Sequence, residues 1–326
     1  MSFRRTIALL ASVFVVLLAA LVLGYVFTPQ GASRRQSEAL LFPGFKAKEV
    51  RKVEISDAAS RVSILLSDRW MIDAAGETFP ASGDKVEGLL REVAALSRGS
   101  VVTRDAKTAE SLGLSPREAK RLALSGQGGG PLAVLSIGRY AAAGGGYYIR
   151  VGDAPEVLQT GAGLASYLGT ARSEWANLRI LPSDVRAESV MRLTVSGGIP
   201  LPDAKGTKRV EYTLVKGSDA QGALSWRFEG AGAAKVQAQK ADAMAAAVAG
   251  LEGSDYLSGV EAAASVTALV TVSLTDNRTF TIRFSAKNAS GQYPCSLADG
   301  RYAFLVPEQR VGEILVPLDA LTDAAR

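Results

Sequence analysis

The spacing with the most chemical potential in this chain is Ser82-Gly83-Asp84-Lys85, a serine followed three residues later by a lysine at the start of an amphipathic run. In penicillin-recognising enzymes a Ser-x-x-Lys pair activates the serine oxygen for attack on an acyl carbon. The companion elements Ser-Asp-Asn and Lys-Thr-Gly are absent from the 326 residues. A serine in this place also satisfies the free N–H groups of a first helical turn. Capping is therefore the role expected of Ser82, and no residue is assigned as catalytic, cofactor-binding or metal-binding.

Histidine is absent and cysteine occurs once, at Cys295. That removes the commonest general base, the His-assisted Ser and Cys nucleophiles, His- and Cys-rich zinc sites and any disulfide within the chain. Cys295 falls in a strand-like stretch, where a buried, inert thiol is expected. Carboxylates remain, and two of them can hydrolyse a glycosidic bond. Asp57, Asp68, Asp73 and Asp153 nevertheless all fall at expected turns, where an Asp side chain bonds nearby backbone. Trp70, Trp175 and Trp226 are residue types that anchor grooves and interfaces, but core packing is the expected role. The runs Gly128-Gly129-Gly130-Pro131 and Gly144-Gly145-Gly146 lack the phosphate-cradling patterns and read as tight turns.

The elements that position these residues begin with a long apolar run. Thr6 to Phe27 carries no charge over 22 positions; at ~1.5 Å per residue this covers about 33 Å, enough for a ~30 Å hydrocarbon core. Arg4 and Arg5 precede it, Tyr25 lies near its far end, and Gln30-Gly31-Ala32 makes a poor cleavage site. Residues 1–27 are expected to form a cytoplasmic tip and a retained single-pass anchor. Arg34, Arg35 and Lys46 offset the basic N-terminus, but long C-terminal domains translocate regardless of nearby charge, so the body is expected outside the cytoplasm.

Hydrophobic residues at 48% and charged residues at 21% are ordinary for a folded body. The net charge of +5 is scattered rather than striped, so no nucleic-acid partner is expected. After a linker over 28–39, alternating strands read 50–55, 61–66 and 70–72, followed by a helix carrying Val86, Leu89, Leu90, Val93 and Leu96. A short helix near 106–112 and strands at 119–124, 132–137, 147–151 and 156–159 follow. The order then repeats. Val190 to Val195 matches Val50 to Ile55 at an offset of 140, Trp226 matches Trp70 at 156, and Lys240, Val248 and Leu251 match Lys85, Val93 and Leu96 at 155. Second-copy strands are expected at 190–195, 210–215, 226–229, 268–274, 279–284 and 302–306. The expected fold class is α+β: a single N-terminal transmembrane helix followed by two similar antiparallel-sheet-plus-helix repeats, over 40–175 and 183–318, with a tail at 319–326.

Several stretches together resemble a bacterial family known as domain of unknown function 4340. They are the apolar N-terminus, Leu41-Phe42-Pro43-Gly44-Phe45, Val53-Glu54-Ile55, Arg69-Trp70, the Lys85-to-Leu96 helix, Leu112-Gly113-Leu114-Ser115-Pro116 and Gly145-Gly146-Tyr147-Tyr148-Ile149-Arg150-Val151. Leu112 stands where the family commonly has Tyr, and Arg117 where a second Pro often sits. The resemblance carries over no catalytic residue and no cofactor. It implies a protein of the bacterial inner membrane, often encoded beside ABC-2-type transporter and gliding-motility-like genes. The function expected on these grounds is a membrane-anchored extracytoplasmic accessory or scaffold protein with envelope protein partners, among them ABC transporter subunits. The alternative is an envelope polymer hydrolase or transferase working through Asp and Glu.

Overall fold

A computed structural model of the chain describes residues 14, 17, 18, 39–74, 76–141, 145–200, 207–218, 224–230, 235–257 and 265–322. Of the expected membrane anchor, only Phe14, Leu17 and Leu18 are among them, each helical and exposed. The rest of that expectation, most of the linker and residues 323–326 lie outside the described residues. Among the described residues no helix is long and apolar enough to cross a membrane.

The chain divides after Trp175 into two compact units. The first carries β1 (Lys52–Ser56), β2 (Arg61–Leu66), β3 (Trp70–Ala74), β4 (Glu77–Pro80), β5 (Ser100–Thr103), β6 (Lys120–Ser125), β7 (Pro131–Tyr140), β8 (Tyr147–Val151) and β9 (Val157–Thr160), with helix α1 (Gly83–Ala95) between β4 and β5. They form one sheet in the order β4-β3-β2-β1-β6-β7-β8-β9-β5, every pairing antiparallel. The second unit holds β10 (Val190–Pro200), β11 (Thr207–Ser218), β12 (Leu224–Phe228), helix α2 (Ala238–Ala249), β13 (Asp255–Leu257), β14 (Val266–Leu274), β15 (Thr279–Ser285), β16 (Gln292–Leu297), β17 (Ala303–Pro307) and helix α3 (Glu308–Ile314). Its sheet runs β12-β11-β10-β14-β15-β16-β17-β13, again antiparallel throughout. From β3 onward the first sheet has this same order. The protein is thus α+β with two antiparallel sheets.

Period-two alternation builds each core. Val53 and Ile55 in β1 are buried, as are Leu193 and Val195 in β10, while the residues between them are half-buried. On α1 the buried residues are Val86, Leu89, Leu90 and Val93, followed by Leu96 at its end; on α2 they are Ala241, Met244, Ala245 and Val248, followed by Leu251. Each of the second set stands 155 residues after its counterpart, so the two helices present one face of the same register. In the second unit, α2 packs on β10, β12 and α3.

Several expectations shift. Asp73 lies within β3, opposite Ser63 and Thr78, rather than in a turn, because β4 extends the sheet past it. The short helix runs only over Ala106–Ala109, and the chain then widens into the turn Glu110–Leu114, where Gly113 adopts φ +82. Strands β4, β5 and β13 were not anticipated as ladder members, whereas β16 contains Cys295, in the stretch expected to be strand-like. The Leu112-to-Pro116 motif has a steric reason: a Cβ on Gly113 would meet Arg139, and one on Gly138 would meet the Leu112 carbonyl. This lets Leu114 bury against Ala109 and Val157.

Candidate functional site

Ser82 is the N-cap of α1, its Oγ accepting the Lys85 backbone N–H at 3.4 Å. The Lys85 ammonium turns to the short helical turn Arg172–Trp175 instead of to that oxygen. Its Nζ donates to the Glu174 carbonyl at 2.7 Å and lies 5.0 Å from the centre of the Trp175 ring, while the Ser82 backbone N–H donates to the Trp175 carbonyl at 2.7 Å. The second unit makes the same pair of bonds. Gln237 N–H donates to the Leu321 carbonyl at 2.9 Å, and Lys240 Nζ donates to the Ala320 carbonyl at 2.7 Å, on the turn Leu318–Leu321. Since the clasp persists where glutamine replaces the serine, the lysine closes each unit rather than activating an oxygen. Ser82→Ala is accordingly expected to lower stability by about 1 kcal/mol, the cost of a lost helix cap, as read by denaturant unfolding. Covalent capture of Ser82 by a β-lactam or a fluorophosphonate would contradict this assignment.

Among the described residues, five carboxylates are lowered by their hydrogen-bond partners. Asp57 Oδ1 accepts the backbone N–H groups of Ala59 and Ser60 at 2.9 and 2.8 Å, and these bonds pull its carboxyl down to about 2. Asp105 caps Thr108 at 2.7 Å and is lowered for the same reason. Glu156 receives Arg104 and Arg98, each at 2.8 Å, and lies below the usual carboxylate range. Asp184 is lowered in the same way by the Arg278 guanidinium, and Asp276 first by the Arg278 backbone N–H at 3.1 Å and then by the same guanidinium. A general acid working near neutrality needs a raised carboxyl, which none of these has. Among the described residues no group of three or more His, Cys, Asp or Glu is arranged to hold a metal. Cys295 is buried in β16, and burial pushes its thiol up.

The tryptophans divide by their surroundings. Trp175 is fully buried, its ring N–H donating to the Gly169 carbonyl at 2.8 Å. Trp226 in β12 donates its ring N–H to Asp242 at 2.8 Å, with Lys216 Nζ 5.1 Å from the ring centre and 3.7 Å from the same carboxylate. Trp70 is 8% exposed, and among the described residues no hydrogen bond is made by its ring N–H. It lies instead on the wall of a cavity of about 720 Å³ bounded by β2, β3, α1 and the turn Ala47–Glu49, with Lys48, Arg69 and Arg91 around it. Core packing, the role expected of all three tryptophans, describes Trp175 and Trp226; Trp70 shares it with a cavity wall. The signal that would have found the cavity is the pair of substitutions between the repeats, Leu66 for Lys216 and Glu87 for Asp242.

A comparison with curated proteins finds no match. The model of the family described as Domain of unknown function (DUF4340) matches residues 70–284, from Trp70 in β3 to Phe284 in β15. That stretch is more than half of the chain and includes α1, both tryptophan-bearing strands and the Leu112-to-Pro116 turn, so the chain belongs to the family Domain of unknown function (DUF4340).

Proposed function

We propose that this protein is a membrane-anchored extracytoplasmic accessory or scaffold protein that works by contact, as an auxiliary component of an ABC-type export system. In this reading residues 6–27 hold it in the bacterial inner membrane, and two duplicated sheet-plus-helix repeats, 40–175 and 183–318, face the far side. The observation that carries the reading is the repeated clasp. The one serine–lysine spacing with catalytic potential is bound into architecture, and its copy does the same work without the serine. Contact also has a surface suited to it. Among the described residues no strand pairs with the outer edge of β12, where Leu224 is exposed, and such an edge can accept a partner strand. Anchoring in two dimensions raises the effective concentration near membrane neighbours, so modest affinity suffices to hold an assembly.

The test is co-purification in mild detergent, comparing the full chain with one whose residues 1–30 are replaced by a cleavable export signal. The full chain is expected to retain transporter subunits and to complement a gene deletion, and the released body to do neither. A released body that complements fully, with complementation abolished by mutating one carboxylate pair, would install the hydrolase reading instead.

A further inference from the structure

The two units treat the same tryptophan in opposite ways. In the second, the ring N–H of Trp226 is taken up by the Asp242 carboxylate, and Lys216 lies beside both. Register identifies the first-unit counterparts: Leu66 is paired with Trp70 across β2 and β3 as Lys216 is with Trp226 across β11 and β12, and Glu87 stands 155 residues before Asp242. Here the latch is missing. Leu66 carries no charge, Glu87 is exposed, and among the described residues neither its carboxylate nor the Trp70 ring N–H, in a side chain more than nine-tenths buried, has a partner. Trp70 lines a cavity of about 720 Å³, within the size range of small-molecule sites.

The rest of the lining describes the missing group. Lys48, Arg69 and Arg91 form no ion pair with any described residue, and they outnumber the two lining carboxylates, Asp68 and Glu87. Leu66, Leu90 and Ala81 supply an apolar wall. We propose that the cavity binds a small organic acid, a monocarboxylate on an alkyl or aryl body. Its carboxylate takes the place that the Asp242 carboxylate holds in the second unit and accepts the Trp70 N–H under the field of the arginines. Its body lies against the leucines. This site is independent of the export role, and neither result bears on the other.

The test uses the full chain, ¹⁵N-labelled and reconstituted in lipid nanodiscs, with octanoate and 3-phenylpropionate as probes and octanamide as the uncharged control. The three tryptophans give three indole N–H signals, and the Trp70 signal is identified by its loss in Trp70→Phe. Either acid is expected to shift that signal saturably; octanoate alone marks an alkyl site and 3-phenylpropionate alone an aryl one. Octanamide is expected to bind about tenfold or more weakly, as loss of a charge-assisted hydrogen bond implies. Removing two cations in Arg69→Gln/Arg91→Gln should weaken both acids by a similar factor. The proposal is overturned if neither acid gives a saturable shift at millimolar concentration, if octanamide binds as tightly as octanoate, or if Arg69→Gln/Arg91→Gln binds both acids unchanged.

Discussion

Replacing Trp175 by alanine is expected to destabilise the N-terminal unit by about 3–5 kcal/mol, the range for truncating a buried aromatic side chain. Trp175 is the largest fully buried side chain among the described residues. Its loss removes ring contacts, leaves the Gly169 carbonyl without the indole donor, and takes away the face over which the Lys85 ammonium sits. The turn Arg172–Trp175 holds the start of α1 through two backbone acceptors, and those carbonyls survive the substitution. The helix start should therefore loosen rather than detach. Amide exchange of α1 under mild denaturant reads this directly, alongside the global unfolding curve. Lys85→Ala, which removes one partly exposed hydrogen bond, should cost only about 1 kcal/mol. If Trp175→Ala costs less than Lys85→Ala, the ring is not what closes the unit. The second unit offers the matched comparison, because Leu321, fully buried at the equivalent place, should cost about 2–5 kcal/mol as alanine.

The duplication was legible because burial imposes pattern. Val53 and Ile55 and their counterparts Leu193 and Val195 alternate as strands with one buried face must. The Lys85-to-Leu96 and Lys240-to-Leu251 stretches share spacing because the same helix face is covered. What escaped were elements whose local signal opposes their place in the sheet. Strand β5 is four residues with no alternation and exists because β9 pairs with it. Strand β13 is three residues beside β17. Strand β16 was foreshadowed only by the strand-like stretch around Cys295, and its Pro294 argues against a central strand. It is accommodated because pairing with β15 stops at Cys295, leaving Pro294 paired only with Leu305 of β17. Asp73 read as a turn residue for a similar reason, since β4 hides behind Gly76 and Pro80.

The cavity beside Trp70 was illegible for another cause. Apolar spacing shows that Trp70 and Trp226 belong to matching strands, but closure depends on two polar side chains from other elements, Lys216 and Asp242. Their replacement by Leu66 and Glu87 in the first copy leaves no mark on the periodicity of β3 or α1. Only a comparison of the repeats position by position exposes it, and that requires the register of β2 against β3.

Gly146→Ala should be among the most disruptive single substitutions outside the core, at roughly 2–5 kcal/mol from strained backbone and overpacking together. The sequence marks Gly144-Gly145-Gly146 only as a turn. The structure shows why its last member admits no side chain. Gly146 adopts φ +129, and a Cβ there would overlap the Thr160 carbonyl of β9, whose ladder with β8 begins at the next residue. The overlapping atom is backbone, so relief requires moving the strand rather than a rotamer. Gly99, at φ +69 just before β5, meets the Gln159 carbonyl in the same way from the opposite edge, so β9 is held between two neighbours that are each preceded by a glycine. Gly128→Ala separates the two contributions. Its φ is +78 with open space around it, so it should cost only the conformational part, about 1 kcal/mol. Thermal unfolding of the two variants side by side decides the matter: equal losses would show that the left-handed backbone alone sets the penalty and that β9 yields freely, whereas a larger loss for Gly146→Ala places the cost in the close approach of β8 to β9.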